Sequence, residues 1–254
     1  ICSWPRRSRS WPYFSCSAAL VSAKRAKTRS ASPSSNRPAP HDGVTNACYN
    51  ALDLHVAQGR GEQLALLYDS PVTDSKAQYT YAQLLHEVAR FAGVLAALGV
   101  GVGDRVLIYM PMVPEAAIAM LACARIGAIH SVVFGGFASH ELAVRIDDAT
   151  PRVIVAASCG VEPSRIVPYK PLLDEALAEA RHAPAHCIIL QRAQYAAELI
   201  AGRDHDWARL MANAQAVACV PLNANDPLYI LYTSGTTGQP KGVMSSFGAI
   251  TRTA

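Results

Sequence analysis

Short apolar segments alternate with helix-like segments from residue 43 onward, and this alternation constrains the fold more than any other feature. In residues 81–98, apolar side chains recur every three or four positions, while Glu87 and Arg90 face the other way, which predicts an amphipathic helix. Similar patterns predict strands over 105–110, 129–134, 153–157, 187–190 and 228–232, and helices over 114–124, 139–146, 170–181 and 207–214. Because helices that separate strands form right-handed crossovers, the predicted fold class is α/β, with a largely parallel sheet and flanking helices.

The ends of the predicted helices carry recognisable signals. Thr80, followed three residues later by Gln83, is typical of a capping box, and Gly99 supplies a left-handed stop for the same helix. Pro114 suits the first position of the next helix, which is apolar all round and is therefore expected to be buried on every side. Ser139 is expected to cap the helix after that.

Residues 1–42 differ from the rest of the chain. They are rich in Arg, Ser and Pro and show no periodicity, which predicts a disordered tail. This segment holds eight basic residues against Asp42 alone, so it carries a formal charge of +7 and the remainder carries −3. The mildly acidic body offers no broad basic surface, so we expect no nucleic-acid partner. The tail composition fits a transit peptide, an ordinary solvated tail or the product of a truncated or misread gene.

Hydropathy and cysteine usage limit the class of protein. The most apolar stretch, 106–134, is interrupted by Pro111, Pro114, Glu115 and Arg125, so it lacks the run of about 20 apolar residues that a membrane span needs. We therefore expect no membrane partner. Seven cysteines occur without Cys-x-x-Cys spacing, which predicts reduced and mostly buried thiols. Such thiols are typical of a cytoplasmic protein or, alternatively, one of the mitochondrial matrix.

Several polar groups have ordinary structural interpretations. His182 and His186 stand four residues apart, but Pro184 prevents a regular helix between them, so we predict a loop and no metal site. The paired acids at 147–148 and 204–206 are interpreted as solvated or capping residues. The Gly-Gly pair at 135–136 fits either a set of backbone donors to an anion or a tight turn between a strand and a helix.

One segment has the composition of a polyphosphate-binding loop. Residues 232–242 read Tyr-Thr-Ser-Gly-Thr-Thr-Gly-Gln-Pro-Lys-Gly and follow an apolar strand. Glycines let backbone N–H groups approach an anion, and the hydroxyl groups and the lysine add further donors. Pro240 stands where a Walker A loop needs glycine, which disfavours an ordinary P-loop nucleotidase, and a flexible turn is the alternative interpretation. The predicted phosphate-binding residues are Thr233, Ser234, Gly235, Thr236, Thr237, Gly238 and Lys241.

The run Y-T-S-G-T-T-G-Q-P-K-G resembles the phosphate-binding loop of the AMP-forming acyl-CoA synthetases, members of the adenylating superfamily. Other segments resemble the short-chain branch of that family: N-A-C-Y-N-A-L-D at 46–53, Y-M-P-M-V-P-E-A at 109–116 and H-S-V-V-F-G-G-F at 130–137. The segments S-C-G-V-E-P-S-R at 158–165 and Y-K-P-L-L-D at 169–174 resemble propionyl-CoA synthetases, or propionate–CoA ligases, more than acetyl-CoA synthetases.

The resemblance implies that a short-chain carboxylate attacks the α-phosphate of Mg²⁺-bound ATP and releases pyrophosphate. Propionate is the favoured substrate, with acetate as the alternative. The thiol of coenzyme A then displaces AMP, so ATP, Mg²⁺ and coenzyme A are the implied cofactors or substrates, and all partners are small molecules. Charge on the leaving pyrophosphate must be offset, which gives Lys241 the catalytic role. The residues implied to bind coenzyme A are Glu162, Pro163, Ser164 and Arg165.

Arg165 is expected to lie near the nucleotide phosphates of coenzyme A, and a solvated surface arginine is the alternative. After Val243 the family continues with an Arg and an Asn-Gly-Gly-His-like run, which this chain lacks. Residues 43–254 are therefore expected to form an incomplete AMP-binding domain, without the mobile C-terminal domain. We expect negligible ligase activity from this fragment alone. A non-catalytic binder of nucleotide or coenzyme A, and an unstable degraded gene product, are the other hypotheses.

Overall fold

The computed structural model describes residues 43–233 and 241–248, in which thirteen strands and seven helical segments alternate. The strands are β1 (Val44–Thr45), β2 (Leu64–Ser70), β3 (Ser75–Thr80), β4 (Arg105–Met110), β5 (Ile129–Phe134), β6 (Val153–Ala157), β7 (Cys159–Glu162), β8 (Arg165–Pro168), β9 (His186–Leu190), β10 (Asp204–Asp206), β11 (Leu222–Asn223), β12 (Pro227–Thr233) and β13 (Lys241–Ser246). The helices are a π-helical turn (Tyr49–Asp53), α1 (Leu54–Ala57), α2 (Tyr81–Ala97), α3 (Pro114–Arg125), α4 (Ser139–Ala149), α5 (Tyr169–Glu179) and α6 (Trp207–Ala212).

Seven of these strands form one sheet in the order β10–β9–β6–β4–β5–β12–β13. All neighbouring pairs are parallel except β12 and β13, which are antiparallel. Every residue of β6 is buried, as is β4 from Val106 to Met110. Such continuous apolar strands are expected where helices cover both faces of a parallel sheet. The predicted α/β fold with a largely parallel sheet is confirmed.

The helices lie on both faces because successive crossovers run in opposite directions. The chain passes from β4 through α3 to β5 on one side of β4, and then returns through α4 to β6 on the other side. Since such crossovers are right-handed, α3 and α4 lie on opposite faces of the sheet. Helix α2 packs beside α3, and α5 packs beside α4. The carboxyl ends of β4 and β5 therefore mark the point where the winding reverses, which is where ligands bind in such folds.

The predicted start and stop of α2 are confirmed. The side chain of Thr80 accepts the backbone N–H of Gln83, the Gln83 side chain accepts the backbone N–H of Thr80, and Gly99 has a φ of 81°. Two finer expectations are wrong. Ser139 is the first residue of α4 rather than its cap, because the extended residue before the helix is Ala138, whose side chain cannot cap. Helix α3 has no exposed residue, but Met120 and other residues on one side are half-buried rather than buried.

Four antiparallel pairings were not predicted from the sequence. These are the β2–β3 hairpin, the β7–β8 hairpin, the pairing of β1 with β11 and the pairing of β13 with β12. Their strands mix polar and apolar residues without the long apolar runs that mark the parallel strands. No helix in the described part of the chain is long and apolar enough to cross a membrane. The disorder predicted for residues 1–42 concerns a segment outside the described residues.

Candidate functional site

The candidate site lies at the carboxyl edge of the large sheet, where the ends of the parallel strands meet. Thr233 is the last residue of β12 and is paired in register with Lys241, the first residue of β13. Both residues are exposed, so the Lys241 ammonium group and the Thr233 hydroxyl group open to the same edge. The intervening segment lies outside the described residues. The predictions that fall on it are those for Ser234, Gly235, Thr236, Thr237 and Gly238.

Helix α4 holds the loop end of the β12–β13 hairpin. The Tyr232 hydroxyl group donates a hydrogen bond to Oδ2 of Asp148 at 2.6 Å. Burial, and then the neighbouring Asp148 carboxylate, raise the pKa of Tyr232, so its hydroxyl group stays protonated and keeps donating. The Arg145 guanidinium carbon lies 5.4 Å from the centre of the Tyr232 ring and 4.6 Å from that of Phe137. The residue directly before the predicted phosphate loop is therefore fixed by one hydrogen bond and one cation–π contact.

The Gly-Gly turn after β5 lies beside this hairpin, since β5 is the parallel neighbour of β12. The backbone N–H of Gly136 and that of Phe137 both donate to the carbonyl oxygen of Phe134, at 2.8 and 3.2 Å. These N–H groups are occupied within the turn and are not free to bind an anion. Of the two interpretations of the glycine pair, the tight turn is therefore the one that the structure favours.

Tyr169 connects this turn to the β7–β8 hairpin. It is the first residue of α5 and only 6% exposed, and its backbone N–H donates to the carbonyl oxygen of Ser158 at 2.9 Å. A Cβ atom added at either Gly135 or Gly160 would overlap the Tyr169 ring, so both glycines are needed for its close packing. Burial raises the pKa of Tyr169 to about 12. One buried side chain thus sets the distance between two loops at the carboxyl edge.

The residues predicted to bind coenzyme A form the tip of the β7–β8 hairpin. Glu162 and Arg165 are paired in register, with Pro163 and Ser164 as the two-residue turn between them. Arg165 Nε donates to Glu162 Oε2 at 2.8 Å, and both side chains are exposed. The hydrogen bond and charge of Glu162 raise the pKa of Arg165. The guanidinium group is therefore already paired, but with a partner that a phosphate in water can displace.

The structure does not bring Arg165 and Lys241 into one cluster. The β7–β8 hairpin follows β6, and four strand spacings separate β6 from β13, the strand that begins with Lys241, which is about 19 Å across the edge. Both residues nevertheless lie at the carboxyl edge, where the winding of the sheet reverses. One extended ligand, or two ligands in succession, can reach both positions.

The described residues contain a single group of side chains with metal-like spacing, formed by Cys48, Asp53 and Cys219. It contacts Arg125 at the end of α3, which is the amino edge of the sheet, opposite the candidate site. Mg²⁺ that accompanies a nucleotide is held mainly by phosphate oxygens, water and one or two carboxylates. The described residues therefore offer no dedicated protein cage for this ion at the carboxyl edge, and bound phosphates would have to supply most of its ligands.

The similarity to known proteins agrees with this geometry. Residues 54–254 match the family described as AMP-binding enzyme. The chain belongs to this family of AMP-binding enzymes. The match includes β12, β13 and the segment between them, and therefore the strands that carry Thr233 and Lys241.

Individual members of the AMP-binding enzyme family are similar over most of this chain. "Acyl-CoA synthetase short-chain family member 3, mitochondrial" of Rattus norvegicus is 55% identical over 208 residues, which cover 82% of this chain and 30% of the relative. "Propionate–CoA ligase" of Escherichia coli K12 is 50% identical over 210 residues, which cover 82% and 33%. The solved structure of acetoacetyl-CoA synthetase from Streptomyces lividans matches with a TM-score of 0.72 and 30% identity, over 82% of this chain and 31% of that one. The chain spans about a third of the length of these proteins.

Two features of the site were missed from the sequence. Tyr169 begins a segment that resembles propionyl-CoA synthetases, but the sequence analysis gave this residue no role. Asp148 was interpreted as a solvated or capping residue. Asp147 is half-buried and accepts the backbone N–H groups of Arg181 and His182, which follow α5, so it caps no helix. Asp148 is exposed, in agreement with the solvated interpretation, but it also accepts a hydrogen bond from Tyr232, which was not predicted. The available signal was that Tyr232 begins the predicted loop. No spacing in the sequence indicated its contact with Asp148, which lies 84 positions earlier.

Proposed function

We propose that this chain forms the ATP-binding part of an AMP-forming ligase that activates a short-chain carboxylic acid. The acid is activated as an acyl-adenylate and transferred to coenzyme A. We propose propionate as the acid, with acetate as the alternative. The register of β12 with β13 supports the proposal, because Lys241 is paired with Thr233 at the carboxyl edge of the sheet, where ligands bind in such folds. The similarity to a propionate–CoA ligase supports the choice of acid.

The first proposed step needs electrostatic stabilisation more than proton transfer. A carboxylic acid is ionised at neutral pH, so its oxygen attacks the α-phosphorus without a general base. The bond from the α-phosphorus to the bridging oxygen breaks, and pyrophosphate leaves with additional negative charge. We propose that Lys241 and the Thr233 hydroxyl group hold this leaving group, because fixed donors aimed at developing charge are effective catalysts. Mg²⁺ would add positive charge at the same phosphates.

The second proposed step uses the β7–β8 hairpin. Arg165 would exchange its exposed ion pair with Glu162 for a phosphate of coenzyme A, since a planar guanidinium group binds phosphate through two parallel hydrogen bonds. The proposed coenzyme A contacts also include Pro163 and Ser164, which form the turn. The thiol sulfur then attacks the acyl carbon of the adenylate, and AMP leaves.

Binding of Mg²⁺–ATP to the purified chain tests the nucleotide site. A ligand at 100 times its Kd stabilises a folded protein by about 2.7 kcal/mol, so we expect a clear rise in melting temperature. Lys241→Ala should abolish most of that rise. Lys76→Ala is the matched control, because Lys76 is also exposed but forms an ion pair with Asp69 in the β2–β3 hairpin. Equal responses in the two variants would contradict the assignment of Lys241.

Propionate-dependent exchange of pyrophosphate into ATP tests the chemistry. We expect negligible exchange by this chain alone and measurable exchange when it replaces the matching segment of a propionate–CoA ligase. Protection by ATP without exchange in the chimera favours the non-catalytic binder. Absence of a cooperative melting transition favours the unstable gene product. The cytoplasm is the proposed location, with the mitochondrial matrix as the alternative.

A further inference from the structure

A cluster of four side chains lies at the amino edge of the sheet, away from the candidate site. Cys48 directly precedes the π-helical turn that contains Asp53, Arg125 ends α3, and Cys219 lies in the segment before β11. Arg125 Nη1 lies 3.1 Å from the sulfur of Cys219 and 3.6 Å from that of Cys48. The two sulfurs and a carboxylate oxygen of Asp53 all lie within 4.8 Å of one another. Two segments far apart in sequence thus present facing thiols around one guanidinium group.

We propose that Cys48 and Cys219 are a redox modification site, which closes to an intramolecular disulfide on oxidation by hydrogen peroxide and reopens with a dithiol. The site is independent of the proposed ligase function. It would covalently join the start of the described chain to the segment that leads into β12.

The charges of the cluster favour this chemistry over a metal site. Arg125 binds both carboxylate oxygens of Asp53, at 2.8 and 3.1 Å, and its Nη1 also contacts both sulfurs. A divalent cation would have to lie against this guanidinium group and compete with it for the same carboxylate. The like charges repel each other, whereas a thiolate is stabilised by the arginine.

The hydrogen-bond partners of the two sulfurs assign their roles. The Cys219 thiol donates to Oδ2 of Asp53 at 3.6 Å, whereas the sulfur of Cys48 accepts from Arg125. A hydrogen bond from Cys219, and then the nearby Arg125, lower the pKa of Cys48. The same hydrogen bond, together with burial, raises the pKa of Cys219, so this residue keeps its proton. The thiolate is the form that attacks a peroxide. Cys48 is therefore the nucleophile, and Cys219 is the resolving thiol.

The reaction balances in two steps. The Cys48 thiolate attacks one oxygen of hydrogen peroxide, the O–O bond breaks, and the products are a sulfenic acid and a hydroxide ion, which becomes water by taking up the proton that Cys48 had released. The sulfur of Cys219 then attacks the sulfenic sulfur. The S–O bond breaks, the S–S bond forms, and the hydroxyl group leaves as water with the proton of Cys219. Overall, two thiols and one peroxide give one disulfide and two waters, and the protein loses two electrons.

Proximity distinguishes this pair from other described cysteines, and access distinguishes Cys219. Cys219 is half-buried, and its sulfur already lies within 4.8 Å of that of Cys48, so only a local shift is needed to reach the S–S distance of about 2.05 Å. Cys48 is fully buried but lies in this cluster, whereas Cys123 and Cys187 are fully buried within α3 and β9, outside it. Burial raises the pKa of both thiols, that of Cys187 to about 12, so neither is expected to react.

The test uses the full chain with Cys2 and Cys16 replaced by serine, so that only cysteines of the described part are counted. The chain is treated with hydrogen peroxide, blocked with N-ethylmaleimide and digested without reductant for mass spectrometry. We expect a peptide pair joined through Cys48 and Cys219, two hydrogen atoms lighter than the reduced pair and reversed by dithiothreitol. Its formation should be about tenfold faster in the folded chain than in guanidinium chloride, where the pair is no longer held together.

Variants assign the roles of the two thiols. Cys219→Ser should stop the reaction at a sulfenic acid on Cys48, which dimedone traps, and Cys123→Ser should behave as the parent chain. The proposal is overturned if the parent chain accumulates the sulfenic acid without a cross-link, if another cysteine pair forms first, or if the cross-link forms equally fast in the unfolded chain. Retention of Zn²⁺ in equilibrium dialysis that requires both Cys48 and Cys219 would identify a metal site instead and would also overturn it.

Discussion

The two ends of the large sheet differ in how they are covered, although the strands of both contain apolar residues. In the covered half, formed by β9, β6 and β4, helices pack on both faces and all of β6 is buried. In the open half, formed by β12 and β13, Leu231, Val243 and Met244 are 53%, 50% and 59% exposed. An apolar segment therefore predicts a strand of the sheet. It does not predict whether helices cover the two faces of that strand.

This difference in covering separates the residues that stabilise the fold from the residues that carry the proposed chemistry. Burial of apolar surface stabilises a fold in proportion to the area removed from water, so the covered half supplies most of the stabilisation. The open half contributes less burial but carries Thr233 and Lys241, the proposed phosphate-binding residues, on a hairpin at the carboxyl edge. The loop end of that hairpin is held by the hydrogen bond from Tyr232 to Asp148 rather than by a covering layer. Substitutions in the two halves should therefore have different effects.

The largest expected contrast is between Ile154→Ala in β6 and Leu231→Ala in β12. Ile154 is fully buried, so its truncation should lower the free energy of unfolding by about 2 to 5 kcal/mol. Leu231 is half-exposed, and its truncation should cost less than about 1 kcal/mol. Urea denaturation of both variants measures the difference. Equal losses would contradict the comparison, and a loss at Leu231 that grows with protein concentration would show that another copy of the chain covers the open half.

His130 in β5, at the boundary between the halves, should make stability depend on pH. Its Nδ1 atom is buried without a hydrogen-bond partner among the described residues, and burial lowers the pKa of His130 to about 4. Because the unfolded chain titrates near its ordinary pKa of about 6.5, it binds the proton first, and stability falls as the pH falls from about 6.5 to about 4. The full effect is about 3 kcal/mol. His130→Phe keeps an aromatic ring of similar shape and should flatten this part of the profile. If the dependence of stability on pH were unchanged in this variant, titratable groups other than His130 would be responsible for it.

Gly135→Ala and Gly160→Ala test the packing of Tyr169 between the two loops of the carboxyl edge. An added Cβ overlaps the buried ring in both cases, so each variant should lose about 1 to 3 kcal/mol of stability. Gly61→Ala is the control, because the nearest atom to its added Cβ is at an ordinary contact distance of 3.6 Å. Combining Gly160→Ala with Tyr169→Leu should recover part of the loss. No recovery would mean that the glycine is required for another reason.

The sequence predicted the covered half almost to the residue. Strands β4 and β6 have the predicted bounds, and β9 begins one residue before its predicted start, because an apolar run between a helix stop and a helix start leaves little freedom. The β7–β8 hairpin was missed because its strands have only four residues each and mix charged with apolar side chains. Tertiary pairing stabilises such strands more than local preference does.

Part of the candidate site could be predicted because it falls within one segment of the sequence. Composition predicted that the stretch from Thr233 to Lys241 binds phosphate, which stays a prediction, and the described residues at its two ends lie at the carboxyl edge of the sheet. The contacts of Tyr169 with Gly135 and Gly160 have no local signature, because they depend on which loops the crossovers bring together. Cys48 and Cys219 likewise face each other, although they lie 171 positions apart in the sequence. Only the fold places such pairs side by side.

The smallest expected effect on stability is at the tip of the β7–β8 hairpin. A substitution there should change coenzyme A binding without changing stability. Arg165 is exposed, and its ion pair with Glu162 faces solvent, so Arg165→Ala should leave the melting temperature unchanged. The same variant should weaken coenzyme A binding, measured by calorimetry, by about tenfold or more, since a charge-assisted contact to phosphate is lost. Arg181→Ala is the matched control, because Arg181 is also exposed and paired with an acid, Asp147, but lies at the end of α5. If both variants bound coenzyme A equally well, Arg165 would be an ordinary surface residue, and the open edge would hold the nucleotide of ATP alone.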